Sequence, residues 1–220
     1  IDRACEAREW TSERQDFAHG SDRRAQPVTT RRAGPMVSGM SRSADLLAHL
    51  VAFDTTSRNS NLPLVDWVRD YLAGLGIESR LAPDAGGGKA NLLASIGPPD
   101  APGIVLSGHT DVVPVDGQDW SVDPFRATSR DGRVYGRGTT DMKGFIACVL
   151  AAVPAMRRAA LRRPFHLAFS YDEEIGCKGV PVLLARLGEW LPVPPLGCLV
   201  GEPTGMRIVD GHKGKAACRC

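Results

Sequence analysis

The sequence predicts an α/β fold, with a central, largely parallel mixed sheet flanked by helices. Three observations lead there. Apolar runs such as GIVLS (103–107) and FHLAFS (165–170) are short and nearly continuous, as in strands buried on both faces. Between them stand segments whose apolar residues recur every three or four positions, the helical period. Polar residues then cluster where the runs end: SGHTD at 107–111, YDEEIG at 171–176 and GEPT at 201–204. Strands alternating with helices make a layered α/β arrangement.

The elements follow in order. Ser43 is placed to cap a helix through Leu46, Leu47, Leu50 and Val51, which Asp54-Thr55-Thr56-Ser57 breaks. A second helix lines up Leu64, Val65, Val68, Leu72 and Leu75, and Gly74 and Gly76 end it. Ile77–Leu81 and Asn91–Ile96 read as short strands, and Gly103–Ser107 as an apolar strand ending at Gly108-His109. Phe125–Thr128 and Arg133–Tyr135 flank Arg130-Asp131-Gly132, a hairpin signal. Asp141 to about Met156 is a buried, Ala-rich helix, and Phe165–Ser170 a strand. Gly179–Leu187 is a helix with Pro181 in its first turn, where proline is tolerated. Leu196–Val200 and Met206–Val209 are the last strands. Gly86-Gly87-Gly88-Lys89 lacks the spacing of a phosphate loop, and Ala90 stands where Ser or Thr would; it reads as a flexible turn.

The 220 residues suit one large domain or two small ones. Apolar residues make up 43% and charged residues 24%, an ordinary globular composition. A net charge of +2 gives no reason to expect nucleic acid as a partner. No apolar stretch reaches the roughly 18 residues a membrane helix needs. Six scattered cysteines, none in a CxxC pair, read as mostly buried free thiols in a reducing, cytoplasmic setting. Residues 1–39 differ from the rest: Arg23-Arg24 and Arg31-Arg32 interrupt acids, and no apolar period is present. They read as a disordered or non-native extension ahead of a folded part at residues 40–220.

His109, Asp111, Glu173, Glu174 and Glu202 all sit past strand ends, and Asp141 opens a helix after GRGTT. In open α/β sheets, sites form at the carboxyl ends of strands. Singly, each residue has a plain structural reading: a hydrogen-bonded His, a helix-start acid, a solvated turn. Together they place more acids than cations in one region, and a dication offsets such repulsion. Imidazole with carboxylates suits zinc, cobalt or manganese. His109 and Asp111, two apart, can face one side, with Asp111 receiving the second ring N–H of a metal-bound His109. Of the adjacent pair Glu173 and Glu174, one can ligate while the other takes a proton from the attacking water.

SGHTDVVPVD, GRGTTDMKG, YDEEIGCKG and GEPT followed by GHKG resemble the acetylornithine deacetylase, succinyl-diaminopimelate desuccinylase and carboxypeptidase family of dinuclear zinc hydrolases. The likeness runs from about Ser43 to the chain end and is strongest to the acetylornithine deacetylase branch. It implies a zinc-peptidase-like catalytic domain binding two Zn2+ per full-length subunit, with Co2+ as a substitute. His109, Asp141 and Glu202 would hold one ion; Asp141 would bridge to a second held by Glu174. Glu173 would be the general acid/base, and Asp111 would orient His109. The likeness also implies a cis peptide at Asp141-Met142. The expected reaction is removal of the acetyl group from N-acetyl-L-ornithine in arginine biosynthesis. Desuccinylase, aminoacylase, dipeptidase and a non-catalytic remnant are the alternatives. The family's last metal-binding His, its lid and its dimerisation domain are expected beyond Cys220. The full-length protein is expected to be a homodimer acting on a small N-acyl amino acid, without nucleic acid or membrane.

Overall fold

A computed structural model describes residues 28–29 and 39–211, with side chains from Arg42 onward. The elements are β1 (Val28–Thr29), α1 (Gly39–Val51), α2 (Leu62–Gly74), β2 (Ser79–Pro83), β3 (Ala90–Ile96), β4 (Ile104–His109), β5 (Thr128–Arg130), β6 (Arg133–Tyr135), α3 (Lys143–Arg158), β7 (Phe165–Ser170), α4 (Gly179–Trp190) and β8 (Gly197–Val200). Five strands form the main sheet in the order β2-β3-β7-β4-β8. The sheet is mixed. β7, β4 and β8 run parallel, while β3 pairs antiparallel with both β2 and β7. A small second sheet joins β1, β6 and β5.

The alternation of strand side chains divides the core into two layers. Leu92, Ala94, Leu106, Leu167 and Phe169 face α1, α2 and α3, against Leu50, Leu64, Leu72, Ile146 and Leu150. Leu93, Val105 and Ala168 face the other way and pack on Leu183 and Leu191, from α4 and its end. Helices therefore cover both faces, which accounts for the continuous apolar runs of β3, β4 and β7. α2 ends as its glycines dictate: Gly76 takes φ +68°, and the Gly76 and Ile77 amides donate back to Ala73 and Leu72. Arg130 and Arg133 pair across a two-residue turn whose Asp131 and Gly132 both have positive φ, the mirror-image turn that suits strand twist.

Several boundaries differ from the expected ones. α1 begins at Gly39, so Ser43 lies inside the helix rather than capping it. The strand expected at 77–81 lies at 79–83, because Ile77 closes the end of α2. The first hairpin strand is Thr128–Arg130 rather than 125–128, and α3 starts at Lys143 rather than at Asp141. Met206–Val209 is irregular: no described strand pairs with it, and Met206 and Ile208 are almost fully exposed. Cys148, Cys177 and Cys198 are free thiols, as expected, but exposed rather than buried. Cys198 stands on β8, the sheet edge, where Leu199 and Val200 are also about half exposed. Most of 1–39, with Cys5, His212, Cys218 and Cys220, lies outside the described residues. No helix among the described residues is long and apolar enough to cross a membrane.

Candidate metal centre

The parallel strands β7, β4 and β8 end on one edge of the sheet with β4 in the middle. His109 is the last residue of β4, in register with Ser170 of β7. Ser107 pairs with Val200, and the Gly201 amide donates to the Ser107 carbonyl at 3.1 Å, so Glu202 emerges beside His109. Glu173 and Glu174 follow β7 through Asp172, whose φ of +55° turns the chain. Asp141 precedes α3, which packs on β4, and the Asp141-Met142 peptide is cis, as the resemblance implies.

Small residues allow this convergence. A Cβ on Gly201 would lie 2.0 Å from the Phe145 ring of α3, so glycine is needed for helix and strand to meet. A Cβ on Gly108 would press on Met142 and Ile146 at 3.2 Å. The Met142 sulfur itself accepts the His109 amide at 3.2 Å.

The His109 side chain is almost wholly buried, and three carboxylates face its Nε2: Asp141 at 3.1 Å, Glu202 at 3.7 Å and Glu173 at 3.8 Å. Its Nδ1 lies 2.8 Å from the Asp111 backbone carbonyl and 3.5 Å from the Asp111 carboxylate. Asp111 thus meets the ring chiefly through its main chain, because β4 ends at His109 and two-residue strand alternation no longer applies. The Asp111 carboxylate instead accepts the Ser57 hydroxyl at 2.7 Å, the Glu173 amide at 3.0 Å and the Glu174 amide at 3.3 Å. It ties the loop carrying both glutamates to the end of β4.

Electrostatics match the crowding. Burial lowers the His109 pKa, but hydrogen bonds to Asp111 and Asp141 and the Asp111 and Glu202 charges outweigh it and raise it to about 11. Burial, then the Asp141 charge, push Glu174 up to about 7. Glu202 also rises to about 7, through burial and the charges of Asp141 and Glu173, against the pull of His109. Burial would raise Asp111, yet the His109 ring 3.5 Å from its carboxylate and the Ser57 hydroxyl hold it below the ordinary carboxylate range.

All six expected site residues lie in this region, and two groups within it could hold an ion: His109 with Asp141 and Glu202, and His109 with Glu173 and Glu174. The donor set fits a divalent metal: one buried imidazole among carboxylates, two of which, Glu174 and Glu202, burial and neighbouring charges drive toward protonation. His49 and His166 stay outside it. His49 stacks on Trp67 at a ring distance of 5.3 Å, and His166 bonds Ser95 at 2.9 Å. Ser57, Lys89 and Asp172 were missed in the sequence. Lys143 was missed too: wholly buried, it donates to the Phe53 carbonyl at 2.7 Å, and burial lowers its pKa to about 7.

Comparison with known proteins gives this edge of the sheet its context. Residues 105–213 match the family model described as peptidase family M20/M25/M40, a span holding all six site residues. The chain carries an M20 peptidase family domain. Among curated relatives, acetylornithine deacetylase of Pasteurella multocida is 36% identical over 156 residues, 70% of this chain and 40% of that protein. Acetylornithine deacetylase of Shigella sonnei is 38% identical over 156 residues, 70% of this chain and 39% of that one. The chain therefore spans about two fifths of the length of these relatives. Human carnosine dipeptidase 1 superposes with a TM-score of 0.65 at 24% identity, covering 74% of this chain and 38% of that one. The M20 metallo-carboxypeptidase Sso-CP2 of Sulfolobus solfataricus gives 0.64 at 22% identity, covering 72% and 37%. The M20 domain thus has the catalytic-domain fold of these structures.

Proposed function

We propose that residues 40–220 belong to the catalytic domain of a two-metal amide hydrolase that converts N-acetyl-L-ornithine to ornithine and acetate. The observation that carries this reading is the convergence of Asp141, Glu173 and Glu202 on the Nε2 of buried His109. The curated relatives named acetylornithine deacetylase support the choice of substrate. A cytoplasmic homodimer active in arginine biosynthesis is the setting this reading implies.

His109, Asp141 and Glu202 would hold one ion, and Asp141 and Glu174 the other. Bound Zn2+ or Co2+ would polarise the amide carbonyl and make the attacking water more acidic. Asp141 raises the Glu174 pKa by repulsion, so a cation shared between these two carboxylates relieves a cost already present. Glu173 is left for proton transfer. It takes one proton from the attacking water as the C–O bond forms, then gives it to the ornithine nitrogen as the C–N bond breaks. Asp111 holds the loop amides of Glu173 and Glu174, keeping both carboxylates on the reacting side.

The test is hydrolysis by the full-length protein of N-acetyl-L-ornithine, N-succinyl-diaminopimelate, other N-acetyl amino acids and dipeptides. Preference for N-acetyl-L-ornithine in kcat/KM is expected. Preference for the succinylated substrate or a dipeptide would move the protein to another member activity, and no metal-dependent hydrolysis of any would overturn the enzyme reading.

A further inference from the structure

The glycine stretch at 86–88 is an ordered delivery device for Lys89. Gly87 takes φ +67°. The Asp84 carboxylate accepts the Lys89 amide at 2.8 Å and the Gly86 amide at 3.3 Å, and the Asp84 amide donates to the Lys89 carbonyl at 2.9 Å. This closed turn, just before β3, projects the Lys89 side chain inward. Its ammonium donates to the Ser57 carbonyl at 2.6 Å and pairs with the Asp172 carboxylate. Both side chains are largely buried, 17% and 10% exposed.

These contacts close a ring. Lys89 holds the Ser57 carbonyl, the Ser57 hydroxyl holds the Asp111 carboxylate, and Asp111 accepts the Glu173 and Glu174 amides. Asp172, the residue before them, returns to Lys89. Asp172 is also the point where the chain turns through positive φ, a conformation uncommon outside glycine. The ring thus has two anchors on the loop, one on each side of the Asp172–Glu173 peptide.

We infer that Lys89 and Asp172 are positioning residues that hold the Glu173–Glu174 loop in the geometry the centre requires, acting through Ser57 and Asp111. The inference deepens the two-metal reading but stands on loop geometry of its own. Removing one partner of a largely buried ion pair leaves an unpaired charge, whereas removing both does not. A purely structural pair and a positioning pair therefore differ in the double variant.

The experiment uses the full chain with Lys89→Met, Lys89→Arg, Asp172→Asn and the Lys89→Met/Asp172→Asn double variant. Amide hydrogen exchange is followed at residues 171–179, with α3 and β3 as internal controls. Lys89→Met is expected to speed exchange at the Glu173 and Glu174 amides by about tenfold or more, with the controls little changed. Lys89→Arg should retain part of the protection. The double variant should recover the melting temperature of the parent while the loop stays fast. Unchanged loop exchange in Lys89→Met, or recovery of both melting temperature and loop protection in the double variant, overturns the inference. Cobalt titration of the same proteins separates it from the metal reading. Weaker uptake in Lys89→Met, by about tenfold, is expected if both hold. A parent that takes up no cobalt, with loop exchange as expected, removes the metal reading and leaves the positioning role standing.

Discussion

Metal uptake by this centre should expel protons, and their number should fall as pH rises. His109 keeps its proton up to about pH 11, and Glu174 and Glu202 keep theirs up to about pH 7. A divalent ion binds these groups only in their deprotonated forms. At pH 6 all three carry a proton, and filling both sites releases about three. At pH 8 only His109 does, and about one is released. Titration calorimetry in buffers of different ionisation enthalpy counts these protons directly, with zinc or cobalt as titrant. The same shifts set the stability of the metal-free chain. A folded-state pKa above the unfolded value favours folding at low pH, and that contribution fades as pH rises through the folded value. For Glu174 and Glu202 the window runs from about 4.5 to 7, and for His109 from about 6.5 to 11. The metal-free melting temperature should therefore fall between pH 5 and 8, and the gain from added metal should grow over the same range. Release that is equal at pH 6 and pH 8 would refute the view that these carboxylates are crowded to the point of protonation.

Other substitutions test separate parts of the site. If the full-length protein is the proposed hydrolase, Glu173→Gln should lower its kcat by 10²- to 10⁴-fold, about 3 to 5 kcal/mol of barrier, with metal content unchanged; Glu174→Gln should lose metal first and regain activity in excess zinc or cobalt. If the rescue pattern is the reverse, the two roles are exchanged. Asp111→Asn puts an amide donor where the carboxylate accepts from Ser57, Glu173 and Glu174. Thermal melts should show a loss of about 2 kcal/mol, or roughly 4–8 °C for a domain of this size, and an unchanged melt would mean those contacts contribute little. Gly201→Ala drives a methyl into the Phe145 ring and should cost about 1–3 kcal/mol by denaturant titration, with no loss if the helix shifts freely.

The positions of the site residues were legible because strand ends and charge clusters are local features. His109, Glu173, Glu174 and Glu202 each follow an apolar run, and such runs are among the plainest signals in a chain. The sheet's two directions were less legible. β3 is as apolar as β4 and β7, since all are covered by helices, so nothing in its composition separates an antiparallel strand from a parallel one. Lys89 was missed for a different reason. Its turn lacks the spacing of the phosphate loop it superficially suggests, and its partners lie 32 and 83 residues away. A buried long-range ion pair leaves no period or spacing in a sequence. The apolar residues of 206–209 misled in the opposite direction, because β-forming character does not supply a neighbouring strand.

The order of the strands explains why this edge, and not another, gathers the chemistry. β7, β4 and β8 are parallel neighbours, so their carboxyl ends open on the same side, with His109 in the central position. The flanking strands then bring acids from both directions: Glu173 and Glu174 from β7, Glu202 from β8. α3 adds Asp141 from above because glycines at 108 and 201 let it sit close to the sheet. β3 runs the other way, so its amino end lies beside the carboxyl end of β7, with Leu92 opposite Phe169. That reversal carries the turn before β3, and with it Lys89, to the same edge. An all-parallel sheet would put that turn at the far end. The antiparallel strand thus supplies the cation beneath the acidic loop, while the parallel strands supply the acids. Such a division fits a site in which the anionic groups face the reaction and their support lies behind them.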